Sequence, residues 1–210
     1  MKRISAKIFI TAAVVFQLTT IASFGQQRFK DVTKEAGINH VFKVYEGMFG
    51  GGACVIDYNN DGWEDVFMAN NGQSNRIYMN AQGNFLADDG LRFPQEETNA
   101  KTVRATATDV DGDGDKDLIL EKDTGSGNVW PYVYLNDRMQ GGNGRFTDAS
   151  LTNMPPRRTE DTAHIVVGDL NGDSLPDIHI VNYNHQDWLF LNHGFAEDKP
   201  DIEQNRVPIG

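Results

Sequence analysis

The 210-residue chain has a single cysteine, Cys54, which excludes any disulfide within one chain. Its place in the apolar run Ala53-Cys-Val-Ile56 marks it as a small buried side chain rather than a reactive thiol. Positive charge is scarce as well. There are 19 Lys and Arg against 30 Asp and Glu, a formal net charge of −11. So acidic a chain offers no basic face to a phosphate backbone, which excludes a nucleic-acid partner. A phosphate loop and a dinucleotide fingerprint are both missing; Gly125-Ser-Gly127 lacks the third glycine and the strand-to-helix setting. The five histidines (His40, His164, His179, His185, His193) share no spacing and form no HExxH pair, so they make no transition-metal or catalytic pattern.

Long apolar runs are confined to the first 25 residues. Met1-Lys-Arg-Ile-Ser-Ala-Lys7 is a basic start, Ile8 to Ile21 is mostly apolar, and Ser23-Phe-Gly25 places small residues before Gln26. This reads as a signal peptide over residues 1–25, too short and too polar to span a bilayer comfortably. The mature domain, residues 26–210, is expected to be exported to the periplasm, the cell surface or the medium, with no transmembrane segment. Its charge becomes −14, from 16 basic and 30 acidic residues.

What the chain has in abundance is acid in short loops. Asp109-Val-Asp111-Gly-Asp113-Gly-Asp115-Lys-Asp117 packs five carboxylates into nine residues. They repel one another, and an apolar core cannot absorb them. A hard divalent cation can, because calcium takes six to eight oxygens at about 2.3–2.6 Å in flexible geometry. Positions 1, 3, 5 and 9 supply side-chain oxygens: Asp109, Asp111, Asp113 and Asp117, with the carbonyl of Asp115 at position 7 and Gly114 at the bend. The same frame recurs as Asp57, Asn59, Asp61 and Asp65 with Trp63 at position 7, and as Asp169, Asn171, Asp173 and Asp177 with Leu175 at position 7. Twelve acids lie in these loops, four, five and three in turn, so much of the acidity is ligand chemistry for up to three Ca2+ ions. An EF-hand is excluded: position 12 is Met68, Leu120 or Ile180 instead of a bidentate acid, and the flanks are β-branched and aromatic without helical period.

The repetition extends past the loops. A strand-like run ends on each first Asp (Ala53–Asp57, Ala105–Asp109, Ile165–Asp169), and another begins on each last Asp. A third carries aromatic-aliphatic-Asn: Tyr78-Met-Asn80, Tyr134-Leu-Asn136 and Phe190-Leu-Asn192. Gly-x-Phe or Gly-Phe follows, at Gly83–Phe85, Gly144–Phe146 and Gly194-Phe195. The repeats run over about 49–87, 101–149 and 161–196, and each has the size and four strands of a β-propeller blade. Trp63, Trp130 and Trp188 are expected to pack between blades, and His179, between Ile178 and Ile180, to lie on the less buried face of its strand.

These motifs resemble the FG-GAP/VCBS repeat family, whose blades carry an Asp-x-Asp-x-Asp-Gly-x-x-Asp calcium loop between their first two strands. The opening Phe29-Lys-Asp-Val-Thr-Lys-Glu-Ala-Gly-Ile38 and Phe49-Gly-Gly-Gly-Ala53 are similar to the opening segment of secreted bacterial members. Two departures stand out: Asn replaces Asp at position 3 of the first and third loops, and the third has Ser174 for glycine and Pro176 before its last ligand. The resemblance implies an all-β fold of four-stranded antiparallel propeller-type blades in three repeats, a partial or truncated propeller. It implies a secreted or cell-surface calcium-binding repeat protein, a non-enzymatic adhesion or interaction scaffold with a protein or glycan partner. The alternative is a calcium-dependent polysaccharide lyase or hydrolase on the same scaffold. Propellers close with about four to eight blades, so three repeats imply truncation or self-association to complete the ring. Phe29–Thr33 matches Phe146–Ser150 and is a candidate closing strand, whereas the stretch after Phe195 has no strand pattern.

Overall fold

The computed structural model describes residues 29–41, 52–88, 92–93, 100–124, 129–138, 144–156, 162–196 and 199–203. By internal packing the chain divides after Asp31, and all the described strands lie in the unit from Val32 onward. Residues 1–25, read above as a signal peptide, lie outside the described residues. Among those described, no helix is long and apolar enough to cross a membrane.

The unit is almost entirely β, as the repeats imply. The strands are β1 Ala53–Ile56, β2 Asp65–Met68, β3 Asn71–Gln73, β4 Arg76–Ala81, β5 Asn84–Ala87, β6 Ala100–Thr108, β7 Asp117–Asp123, β8 Val129–Asn136 and β9 Phe146–Asp148. One short helix, α1 Ser150–Asn153, precedes β10 Thr162–Gly168, β11 Asp177–Asn182, β12 Trp188–Ala196 and β13 Lys199–Glu203. They form three antiparallel sheets ordered β1-β2-β4-β5, β3-β6-β7-β8-β9 and β10-β11-β12-β13. Each acidic loop joins the first two strands of its repeat, where the sequence puts it. The extra strand of the middle sheet is β3, a piece of the first repeat that pairs with β6.

The middle sheet is buried on both faces, and its sequence says why. β7 carries Leu118-Ile-Leu120, a continuous apolar run rather than an alternation, as expected of a strand covered on both sides; all three are at most 1% exposed. Leu118 and Leu120 pack with Tyr134, Phe146 and the first repeat's Ile56, Tyr58, Phe67 and Ile77. Ile119 and Val133 face the other way, against Ile165, Ile178, Ile180 and Phe190 of the third repeat. Each such side chain contributes roughly 1.5–3 kcal/mol by leaving water. Aromatic rings close both layers. Phe93 stacks on Phe146 at 5.0 Å and tilts against Phe67 at 5.5 Å, while Trp130 meets Trp188 edge-on at 6.0 Å.

Four expectations need correction. Trp63 is not buried between repeats: it is 46% exposed. Residues 29–33 form no strand. Instead Ala36 N–H donates to Val32 C=O at 2.7 Å and Ile38 N–H to Thr33 C=O at 3.0 Å, and Phe85 N–H reaches Ala36 C=O at 2.7 Å. Gly194-Phe195 does not start a new strand, because the pairing of β12 with β13 shifts register between Asn192 and Phe195 and absorbs the glycine as a bulge. The fourth strand of the third repeat is therefore Lys199–Glu203, in the stretch read as patternless; Leu191 sits opposite Glu203 and Asn192 opposite Ile202. One further reading holds: His179 is intermediate between buried Ile178 and Ile180. Cys54, expected to be buried, is only half-buried, with its thiol pushed up to about 12 by desolvation.

Gly144 fixes the approach of the first two repeats. Its φ is +73°, and an added methyl would sit 3.0 Å from Tyr58 Cδ2 and 3.1 Å from Tyr58 O. Gly144→Ala is expected to destabilise the fold by about 2 kcal/mol, from left-handed strain plus crowding; urea melts of the two proteins measure it.

Candidate metal-binding loops

The three loops share one backbone design. The position 1 carboxylate bridges the bend: Asp57 accepts from Asp61 N–H (3.1 Å) and Gly62 N–H (2.9 Å), Asp109 from Gly112 (2.7 Å) and Gly114 (3.0 Å), and Asp169 from Gly172 (2.6 Å) and Ser174 (3.0 Å). Position 3 accepts from the amide of position 5: Asn59 from Asp61 (3.0 Å), Asp111 from Asp113 (3.2 Å), Asn171 from Asp173 (2.9 Å). Position 5 accepts from position 7: Asp61 from Trp63 (2.8 Å), Asp113 from Asp115 (3.0 Å), Asp173 from Leu175 (2.8 Å). Each is an Asx-type turn, the reason short Asp and Asn are needed at alternate positions. Asn serves at position 3 because this bond needs only its side-chain oxygen.

The bend requires a left-handed residue. Gly62 and Gly114 have φ of +85° and +98°, and Ser174 takes +75° in the third loop. The missing glycine therefore leaves the loop shape intact, at a strain of about 1–2 kcal/mol.

Position 9 is where loop and sheet meet. Asp65, Asp117 and Asp177 are each 0% exposed, and both oxygens of each carboxylate accept a main-chain N–H. One bond comes from position 2 of the same loop: Tyr58 (3.3 Å), Val110 (2.7 Å) and Leu170 (2.7 Å). The other comes from the Asn of the third strand: Asn80 (2.6 Å), Asn136 (2.8 Å) and Asn192 (2.9 Å). Sequence reading singled out the Tyr-x-Asn and Phe-x-Asn motifs but gave them no role. Their recurrence with each loop was the signal that could have found one.

The Asn side chains reach further. Asn136 Nδ2 donates to Tyr58 C=O of the first loop at 2.8 Å, and Asn192 Nδ2 donates to Val110 C=O of the second at 2.8 Å. Asn80 Nδ2 instead donates to Glu64 C=O at 2.9 Å, within its own repeat. Tyr58 and Val110 are 1% and 2% exposed beneath these contacts, whereas the equivalent Leu170 is 53% exposed.

Of the side chains nominated as ligands, Asp109, Asp111 and Asp117 converge, with one ligand atom from each within 4.8 Å of the others. Oxygens that close can share one calcium at its usual bond length. Among the described residues this is the one group of three or more His, Cys, Asp or Glu side chains that converges so closely. Asp113 is not part of it, nor are the carboxylates of the first and third loops brought together in this way. At position 7, Asp115 is fully buried and Leu175 lies against the second loop, where a methyl on Gly112 would be 3.7 Å from its Cδ2.

The electrostatics match the crowding. Burial, then the nearby charges of Asp111 and Asp115, push Asp117 up to about 8 against the pull of its two backbone N–H partners. Burial, with Asp61 and Asp57 adding to it, raises Asp65 to about 6. Asp111 is raised by burial and by Asp113 and Asp109. Asp169, on the surface, is lowered by the N–H groups of Gly172 and Ser174. A cation among Asp109, Asp111 and Asp117 would reverse the first and third of these shifts.

Two histidines are engaged elsewhere. His164 Nδ1 lies 2.6 Å from Arg104 Nη1, which also bonds buried Glu121 at 3.2 Å, and His179 is 3.3 Å from Asp187.

Residues 57–120 match the family model of the FG-GAP-like repeat. The match starts on the first ligand position of the first loop and ends in β7, so it spans two of the three loops. The resemblance carried by the loop motifs is thus shown for this stretch. No curated protein matches the chain.

Proposed function

We propose that the protein is an exported calcium-binding repeat scaffold, in which divalent ions seat the acidic loops and the surfaces around them contact a protein or glycan partner. The observation that carries this reading is the convergence of Asp109, Asp111 and Asp117 in a loop whose hydrogen-bond design recurs twice more. Bound calcium would draw on oxygens of positions 1, 3, 5 and 9, with the position 7 carbonyls of Trp63, Asp115 and Leu175 as further ligands. The ion would offset the clustered carboxylates and tie the first two strands of a repeat together. The FG-GAP-like repeat match supports a non-enzymatic role and a place outside the cytoplasm. A second copy of the chain is a further proposed partner: Leu170 of the third repeat is 53% exposed, at the position whose equivalents Tyr58 and Val110 are buried between repeats.

Affinity is expected to follow charge and convergence, with the second loop filled first. Asp113→Ala should remove more of the calcium-dependent rise in melting temperature than Asp173→Ala, because it weakens the better site. Melts of both variants with calcium and with chelator measure the difference, and equal losses would overturn the ranking. The scaffold reading as a whole fails if the protein turns over uronic-acid polymers in a calcium-dependent way.

A further inference from the structure

We propose that Asn136 and Asn192 are coupling residues: each seats the loop of the repeat before its own, so that calcium fills adjacent loops cooperatively. The calcium part rests on the reading above; the coupling itself rests on an unbroken series of hydrogen bonds through all three loops. Asn192 N–H binds the Asp177 carboxylate at 2.9 Å, while its Nδ2 binds Val110 C=O at 2.8 Å. Val110 N–H, on the other side of the same residue, binds Asp117 at 2.7 Å. Asp117 also takes Asn136 N–H at 2.8 Å, and Asn136 Nδ2 passes to Tyr58 C=O at 2.8 Å. Tyr58 N–H then ends on Asp65 at 3.3 Å.

Asp65 and Asp117 are thus each tied to the following repeat by one buried residue, Tyr58 or Val110, whose N–H and C=O face opposite partners. Hydrogen bonds in such a chain polarise one another, and the effect is stronger away from water. A cation that draws on Asp117 in the second loop stiffens the strand end bearing Asn136. That fixes the carbonyl of Tyr58 and, through its N–H, the carboxylate of Asp65 in the first loop. The Asn side chain is required because its amide reaches past its own loop carbonyl. Asn136 Nδ2 serves both Lys116 C=O at 3.1 Å and Tyr58 C=O, whereas Asn80 serves only its own repeat and is the internal control.

The test follows amide exchange and calcium binding loop by loop, by nuclear magnetic resonance, in Asn136→Ala, Asn192→Ala and Asn80→Ala. In chelator, Asn136→Ala is expected to speed exchange at the Tyr58 amide, and Asn192→Ala at the Val110 amide, by about five- to tenfold, the size of one net hydrogen bond. Asn80→Ala should leave the Val110 amide unchanged. With calcium, Asn136→Ala should raise the concentration that half-fills the first loop by a similar factor while the second fills as before. A purely structural role would weaken both loops alike. The proposal is overturned if the Tyr58 and Val110 amides keep their protection, or if both loops weaken equally. Should Asn136→Ala fail to fold, Asn192→Ala decides the same question, with the second loop as the one expected to weaken. If no loop titrates with calcium, the functional reading falls, and the exchange data in chelator still decide the coupling.

Discussion

Asp117→Ala is expected to lower the midpoint of thermal unfolding by about 10–20 °C. The carboxylate is fully buried, and its two oxygens accept the N–H groups of Val110 and Asn136. Alanine leaves both donors buried without an acceptor, at about 1–3 kcal/mol each, and also opens a gap at the start of β7. In a chain of this size each kcal/mol is worth roughly 2–4 °C. Asp117→Asn separates the structural part from the ionic part. Its amide oxygen still takes one N–H, so its loss of stability in chelator should be less than half that of alanine. Both variants should lose the calcium response of the second loop. Calorimetric melts in chelator and in calcium give both numbers, and an alanine variant as stable as the parent would remove position 9 from its central place.

In chelator, stability is expected to fall as pH rises from 5 to 8, and calcium should abolish or reverse that trend. Burial holds the Asp117 carboxyl up at about 8 and Asp65 at about 6, both above the ordinary 3.8. Between those values the folded protein keeps protons that the unfolded chain has released. The stabilisation from the protonated carboxyls is therefore complete at acid pH and disappears as pH rises through the folded values. Calcium competes with the same protons, because its ligands must be ionised. Its stabilising effect, about 2.7 kcal/mol at a hundred times the dissociation constant, should be larger at pH 8 than at pH 5. Melts over that range, with and without calcium, measure the two slopes; an equal calcium increment at both ends would contradict the assignment of the buried acids.

Much of the architecture was legible because it is written three times. The alternate Asp and Asn of each loop, the strands ending on position 1 and starting on position 9, and the apolar run Leu118–Leu120 all appear where periodicity places them. What was hidden depends on contacts between repeats. Asn136 and Asn192 looked like part of a strand motif, and nothing local says that their amides reach Tyr58 and Val110, 78 and 82 residues away. β13 was missed because Lys199-Pro-Asp-Ile-Glu203 has one large apolar residue, and its pairing comes from an open edge on β12 rather than from its own pattern. β3, with the sequence Asn-Gly-Gln, is a strand only because β6 runs beside it. In the site, the alternate spacing of Asp109, Asp111 and Asp117 was legible, but which carboxylates lie within reach of one ion depends on how each also accepts the loop's own amides, as Asp113 accepts that of Asp115.

The most direct test of the account is a calorimetric titration of the metal-free protein with calcium at pH 8. Saturable uptake of one to three ions, lost first in a variant of Asp109, Asp111 or Asp117, is the predicted result. No uptake at millimolar calcium would contradict it, and the acidic loops would then be hydrogen-bonded turns and nothing more.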